Sequence, residues 1–468
     1  MTTELVRESS TTAAARLAAV WADLGWDSLP TDVQDRTREL LLDLLGVALG
    51  GSRQPSSPPA AEVARRLGGD GGQASVVGAG FATTAVWAAL ANGTAAHAIE
   101  LDDVTTESSL HPGVAVIPTA FALAEELGAP PSALLEAVVA GYEVTMRVGN
   151  ALNPASAYAR GFHPTGVAGV FGAAMAAGRL LRLGANRLEH ALGIAGTLAS
   201  GSLEYLSDGA WTKRLNPGWA GHAGITAAYL ADARFSGPRT ALEGPLGVLH
   251  AYSDDPRPER LLADLDGLPQ IMRVSVKPYA CCRYNHGLID CVLELRRAHQ
   301  IQPEQVERVR LGVLSGGALL VADPIEQKRT PRSVVDAQFS APYAAAAALV
   351  LGTGGLDAYG ADRLDDPRIR RLLERTDCYR DSSLDAEYPL RWPAAAEIEL
   401  RDGRRVSTRI EFATGEPENP VPRAGLVDKF VSLATPSVPD ARGLAQRILA
   451  IDGEPDLRTI GSALRGRG

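Results

Sequence analysis

From residue 13 to residue 233 the chain repeats one pattern. An apolar, alanine-rich stretch with helical spacing is followed by a glycine, proline or asparagine, and then by another such stretch. In residues 33–49, Val33, Leu40, Leu41, Leu44 and Val47 fall near i, i+3, i+4 and i+7, which lines one face of an α-helix. Thr31 can cap its start and Gly50-Gly51 can end it. Further helices are expected at 13–24, 60–67, 82–98, 114–127, 131–150, 165–182, 187–200 and 220–233, with a Pro/Ser loop at 52–60. No strand pattern of any length interrupts the first 265 residues. Small residues let helices approach closely, so this part reads as one large all-helical domain.

The character changes near residue 270. Ile271 to Lys277 is short and β-branched, and Val306 to Leu314 alternates apolar and charged residues as a half-buried strand does. Ala396–Leu400 and Val406–Phe412 flank Asp402-Gly403, a turn pair expected of a hairpin. Helices are expected at 286–299 and 334–352 between them. Residues 269–415 therefore read as a smaller α/β domain with an antiparallel sheet. The stretch GEPENPVP (415–422) reads as a linker, and helices at 424–434 and 439–450 are expected to pack back on the first domain. The expected fold class is mainly α, with residues 1–268 plus 416–468 helical and 269–415 α/β.

Several function classes are disfavoured. A net charge of −9 argues against nucleic-acid binding, which normally needs a basic face. No uncharged apolar run reaches the length of a membrane span, and no secretory signal pattern opens the chain. The four cysteines include no CxxC pair, so neither a zinc site nor an iron–sulfur cluster is expected, and a reduced cytoplasmic protein is. No GxxxxGK[ST] phosphate loop occurs. No metal and no cofactor are expected.

Three histidines stand in punctuated contexts: His111 in SLHPGV, His163 in GFHPTG and His286 in CCRYNHG. Proline disfavours helix for the residue before it, so His111 and His163 each belong to a turn just ahead of a helix. Free N–H groups there can bind a carboxylate, and the helix dipole disfavours imidazolium, which suits a neutral base. Lys213 and Arg214 lie in DGAWTKRLNPGW, read as a loop with Gly and Pro breaks, and paired cations of this kind clamp anions. Glu100, Asp102 and Asp103 cluster just after His97, where a carboxylate could orient a histidine or bind a substrate hydroxyl. KPYACCRYNH (277–286) adds Arg283 and Tyr284 at the domain junction, where ligand sites are favoured. Cys281 or Cys282 as a nucleophile stays open, although nothing along the chain places a base beside either thiol.

These stretches, in this order, resemble the MmgE/PrpD family, which includes 2-methylcitrate dehydratase, cis-aconitate decarboxylase and iminodisuccinate epimerase. The landmarks are LLLDLLGVALGG (40–51), NGTAAHAIELDDV (92–104), HPGVAVIP (111–118), GFHPTGVAGVFGAA (161–174), TKRLNPGWAGHAG (212–224) and KPYACCRYNHGLID (277–290). The resemblance implies a helical domain with an α/β lid, a homodimer, a site between the domains and no cofactor. His111, His163, Lys213 and His286 match the family's site positions, while Glu100 and Val104 stand where decarboxylase-like members carry Asp and Thr. Read from the residues themselves, a small carboxylate substrate is expected to be held by Lys213, Arg214 and Arg283, with Glu100, Asp103 and Tyr284 as further contacts. His163 or His111 would remove a proton beside a carboxylate, and His286 would return one or protonate a leaving hydroxyl. The reaction expected first is elimination of water from a small hydroxy-polycarboxylate. Decarboxylation and epimerisation are alternatives, and a non-catalytic ligand-binding relative is the reading of another class.

Overall fold

The computed structural model describes residues 11–466. Two compact units emerge. One holds the described chain up to Ala98, Ser108–Met272 and the chain from Phe430 on; the other holds Ile99–Glu107 and Arg273–Lys429. The sequence reading had left 99–107 with the helices and ended the α/β part at 415.

The first unit begins with helices α1 (Ala13–Trp21), α2 (Thr31–Ser52), α3 (Ser57–Gly68), α4 (Ala85–Ala96), α5 (Gly113–Leu127) and α6 (Pro131–Ala151). It continues with α7 (Pro154–Ala159), α8 (Pro164–Leu180), α9 (Ala185–Leu198), α10 (Thr212–Asp232) and α11 (Val248–Tyr252). In α8 every residue from Pro164 to Gly178 is buried, as expected of a helix that is apolar all round and sits inside a core. It packs on α6 and α10, and α10 also packs on α4. There Gly93 and Gly218 meet backbone to backbone: a Cβ on Gly93 would lie 2.8 Å from the Gly218 Cα. Glycine is what permits that approach.

Three expectations for this unit are corrected. Most of the Pro/Ser loop expected at 52–60 is helix, since α2 runs to Ser52 and α3 starts at Ser57. A short antiparallel hairpin, β1 (Ala74–Val76) and β2 (Phe81–Thr83), interrupts the helices, paired from Ala74↔Thr83 to Val76↔Phe81. All six residues are buried, so no alternation of polar and apolar marks them. Lys213 and Arg214 stand not on a loop but in the first turn of α10, which runs on through Pro217. Packing of Gly218 and its neighbours against α4 overrides the local breakers.

In the second unit β3 (Val104–Thr105) pairs antiparallel with β4 (Val274–Ser275), so the stretch 271–277 forms a two-residue strand of this ribbon and not the first strand of the main sheet. Helices α12 (His286–Ala298), α13 (Ser315–Val321), α14 (Ile325–Arg329), α15 (Val334–Gln338), α16 (Ala341–Leu351) and α17 (Pro367–Leu373) follow. The strands are β5 (Val306–Val313), β6 (Thr376–Arg380), β7 (Ala394–Leu400) and β8 (Arg405–Ile410), in the order β6-β5-β7-β8. The β5–β7 and β7–β8 pairs are antiparallel, but β5–β6 is parallel, so the sheet is mixed. β7 alternates buried and half-buried residues, and α12 packs on β7 and β8. The expected helix 334–352 is broken into α15 and α16 at Phe339-Ser340, where the Ser340 hydroxyl caps α16 by accepting from the Tyr343 N–H. The presumed linker folds into a tight turn bridged at Glu416↔Asn419.

The boundary of the units falls inside α18 (Arg423–Ala434). Beyond it, α19 (Ala441–Leu449) packs on α2, and α20 (Leu457–Leu464), which the sequence reading lacked, packs on β1 and α5. The fold is mainly helical with a smaller sheet-containing part. Among the described residues no helix is long and apolar enough to cross a membrane.

Candidate functional site

The first unit gathers histidines from three helix ends. His97 follows α4 as its C-cap, His111 precedes Pro112 at the start of α5, and His163 is the N-cap of α8. The His163 backbone is extended, which frees its carbonyl for the N–H groups of Gly166 and Val167, while its own N–H donates to the Gly201 carbonyl at 2.9 Å. The His111 N–H donates to Thr165 Oγ1 at 3.2 Å, tying the start of α5 to the first turn of α8. The rings consequently adjoin. His97 meets His111 edge-on at 4.9 Å between centroids and lies stacked on His163 at 5.7 Å. His97 and His163 are buried and His111 is half-buried. His97 and His111 are close enough to share one cation.

Asn216, in the second turn of α10, places its amide nitrogen 3.1 Å from His163 Nδ1. An amide nitrogen only donates, so Nδ1 accepts, and in the neutral ring the proton sits on Nε2. Lys213 and Arg214 are half-buried on the same helix start, with Arg214 Nη1 donating to Ser56 Oγ at 3.0 Å. The flanking tryptophans shelter them little: Trp211 is 50 % exposed and Trp219 39 %.

The second unit carries a separate set of charged groups. The β3–β4 ribbon holds the Glu100–Asp103 stretch beside the strand that leads into Lys277. Gln338 reinforces this by donating from its amide nitrogen to the carbonyls of Ile99 and Ala280. Glu100 has a left-handed backbone, φ +54°, uncommon for a residue with a Cβ. Its carboxylate pairs with Lys277 Nζ at 3.3 Å, and both groups are buried. Burial alone would lower the Lys277 pKa, but Glu100 and then Asp102 outweigh it, and the ammonium ends above its ordinary value. Asp103 is buried as well.

Arg283 forms a buried ion pair with Glu416, from the turn that the sequence read as a linker. Burial pushes its pKa down to about 10. The Tyr284 hydroxyl bonds that of Tyr388 at 2.9 Å, and its ring stacks on Trp392. His286 opens α12, fully buried. Burial first, then the charges of Arg283 and Lys277, hold its pKa well below the ordinary value, so the ring is neutral. Its Nε2 faces the Cys281 carbonyl at 3.4 Å and therefore carries the proton. Nδ1 is buried with no hydrogen-bond partner among the described residues. His286 thus presents a bare acceptor nitrogen. Burial pushes the Cys281 thiol up to about 12, which removes it as a nucleophile near neutral pH.

His111, His163, Lys213 and Arg214 therefore belong to one unit, and Glu100, Asp103, Arg283, Tyr284 and His286 to the other. The sequence reading named His97 and Lys277 without choosing them and missed Asn216 and Glu416. Asn216 was visible only as part of KRLNPG, and Glu416 had no local signal.

Residues 15–261 match the MmgE/PrpD N-terminal domain and residues 279–452 the MmgE/PrpD C-terminal domain. A cis-aconitate decarboxylase-like protein, oryM, of Aspergillus oryzae is 28% identical over 458 residues, spanning 94% of this chain and 94% of that protein. The cis-aconitate decarboxylase of Aspergillus terreus is 28% identical over 466 residues, with 94% and 93% covered. That of Homo sapiens is 28% identical over 359 residues, with 74% and 71% covered. The chain belongs to the MmgE/PrpD family.

Proposed function

We propose that this protein is a lyase that moves a proton at a carbon beside a carboxylate of a small acidic substrate. The observation that carries the reading is the row His111–His97–His163 with Asn216 fixing the outer ring. Asn216 leaves the neutral His163 with its proton on Nε2, poised to donate. Lys213 and Arg214, in the first turn of α10, suit a substrate carboxylate. In the second unit His286 has the opposite character, a neutral ring with an unprotonated nitrogen that can accept.

Relatives named as cis-aconitate decarboxylases support loss of carbon dioxide as the first reaction to assay. The bond from carbon to carboxylate breaks, carbon dioxide departs, and the electron pair left on carbon takes a proton from His163. Elimination of water is the second reading, favoured by Glu100 and Val104 where decarboxylase-like members carry Asp and Thr. There a proton leaves carbon as hydroxide departs, protonated to water. Two copies of the chain are proposed to pair along α10, where Trp211, Leu215, Trp219 and Tyr229 are 37–50 % exposed at helical spacing.

The test is NMR of the purified protein in D₂O with cis-aconitate and a panel of hydroxy-polycarboxylates, beside His163→Ala. Carbon dioxide release with deuterium at carbon supports decarboxylation, and a new alkene without carbon dioxide supports elimination. Either rate should fall about 10²–10⁴-fold in the variant. Absence of turnover with every acid, or full activity in His163→Ala, refutes the reading.

A further inference from the structure

The end of α2, one face of α3, the β1–β2 hairpin and one face of α4 surround a cavity of about 290 Å³ within the first unit. From α3 come Pro58, Ala61 and Arg65, spaced to share one helical face. Val76 and Phe81 come from the hairpin, and Ala91 and Ala95 from α4. The volume is at the lower end of small-ligand cavities, and the walls combine apolar side chains with Ser52, Ser57, Glu62 and Arg65.

The polar groups around it are already satisfied, with one exception. The Ser52 hydroxyl donates to the Leu49 carbonyl at 2.8 Å, and that of Ser57 to the Gly51 carbonyl at 2.7 Å. The Glu62 carboxylate takes Arg66 Nε at 2.8 Å. Arg65 remains. Its guanidinium lies over the Phe81 ring, 4.4 Å from the centroid, and among the described residues it pairs with no carboxylate. The cavity therefore offers an apolar strip formed by Ala61, Phe81, Ala91 and Ala95 and, at its edge, a planar, two-pronged donor with no carboxylate partner among the described residues, a shape that matches a carboxylate.

We propose that this cavity binds a small monocarboxylate with a short hydrocarbon tail, the carboxylate on Arg65 and the tail against Phe81, Ala61, Ala91 and Ala95. The site is distinct from the histidine row but shares an element with it. Ala95 is in the last turn of α4, and His97 caps that turn. On another side the same turn is fixed by Gly51, packed so closely that a Cβ there would lie 1.8 Å from the Ala95 carbonyl oxygen. A tail pressing on Ala91 and Ala95 acts on a turn that cannot yield toward α2, so occupancy is felt at the His97 ring. Binding itself does not rest on the lyase reading.

The experiment is calorimetric titration of the full chain with hexanoate, hexanamide and acetate, with ring-nitrogen NMR of the histidines as a second readout. Saturable binding of one hexanoate per chain is expected, weakening about fourfold for each methylene removed. Hexanamide, or hexanoate on Arg65→Gln, should bind about tenfold more weakly. Ala61→Phe should abolish binding by filling the cavity. Hexanoate should still bind His163→Ala, and should shift the His97 signal in the unaltered protein. The proposal fails if hexanoate shows no saturable binding at millimolar concentration, if Arg65→Gln binds it undiminished, or if His163→Ala removes binding and so places the acid at the histidines. Should Ala61→Phe not fold, Arg65→Gln, a change at an exposed side chain, still decides.

Discussion

Replacing Glu100 by glutamine leaves the shape of the second unit's charged set intact and removes one charge. Lys277 is 1 % exposed, with Nζ 3.3 Å from the Glu100 carboxylate. Two unit charges at that distance attract by about 5 kcal/mol at an effective dielectric of about 20. In the native protein burial pulls the Lys277 pKa down, and Glu100 with Asp102 more than offsets it. Glu100→Gln is expected to reverse the balance, because it removes the largest of the charges that oppose burial. Breaking a buried pair from one side costs about 3–5 kcal/mol, a fall in Tm of roughly 6–20 °C for a unit of this size. The pH dependence gives the sign. A raised lysine pKa contributes stability that is present below the unfolded value and is lost as pH rises through the folded one. In the variant the folded pKa lies below the unfolded one, so stability is lost as pH falls, and the deficit relative to the native protein should shrink toward about pH 10. Calorimetric melting of the native protein, Glu100→Gln and Glu100→Asp at neutral and alkaline pH measures this. Equal melting temperatures at neutral pH, or a deficit that does not shrink with rising pH, would refute the claim that Glu100 keeps Lys277 charged.

Asn216→Ala should lower kcat about tenfold or more while leaving the melting curve near native, because the His163 ring loses the donor that sets its tautomer; steady-state kinetics on the acid that the NMR panel shows to be turned over checks this, with His163→Ala as the floor. Burial pushes the Glu125 carboxyl up to about 7 despite hydrogen bonds from the Ser75 N–H and hydroxyl and the nearby charges of Arg465 and Arg458. A raised carboxylate pKa means stability is full below the unfolded value near 4.5 and is lost as pH rises, so Glu125→Gln should gain on the order of 3 kcal/mol at neutral pH and nothing near pH 4.5 in urea melts. His286 is held neutral by burial and by Arg283 and Lys277, so its depressed pKa costs stability as pH falls below about 6.5, at about 1.4 kcal/mol per unit. The acid limb of the pH–stability curve should flatten in His286→Gln, and an unchanged limb would place the acid sensitivity elsewhere.

What the sequence revealed and what it concealed follow from the range over which each signal acts. Helices such as α2 and α8 were legible because apolar spacing and the prolines at their starts are local, although Thr31 is the first residue of α2 and not its cap, and the helix runs on through Gly50-Gly51 to Ser52. The hairpin β1–β2 was not, since three-residue strands buried on both faces show no alternation. The half-exposed β6 also escaped notice, because its partner β5 lies more than sixty residues back and pairs with it parallel. The start of α10 was misread because Pro217 and Gly218 look like breakers until the close contact with α4 is seen.

The same reasoning separates the histidines from their partners. An imidazole before a proline at a helix start announces its place along the chain, and His163 and His111 were found in that way. What determines their chemistry lies far off: Asn216 is 53 residues from His163, Glu100 is 177 from Lys277, and Glu416 is 133 from Arg283. Along the chain Glu100, Asp102 and Asp103 are three adjacent acids of equal standing. The β3–β4 ribbon and the left-handed turn at Glu100 single out one of them as the lysine's partner. Because that pairing neutralises Lys277, and Glu416 likewise neutralises Arg283, the cations in the second unit enter any reaction already matched by acids. Lys213 and Arg214 are half-buried at the start of α10, on the same helix as the Asn216 that holds His163 Nδ1, which is why the first unit's variants are the ones expected to separate binding from proton transfer.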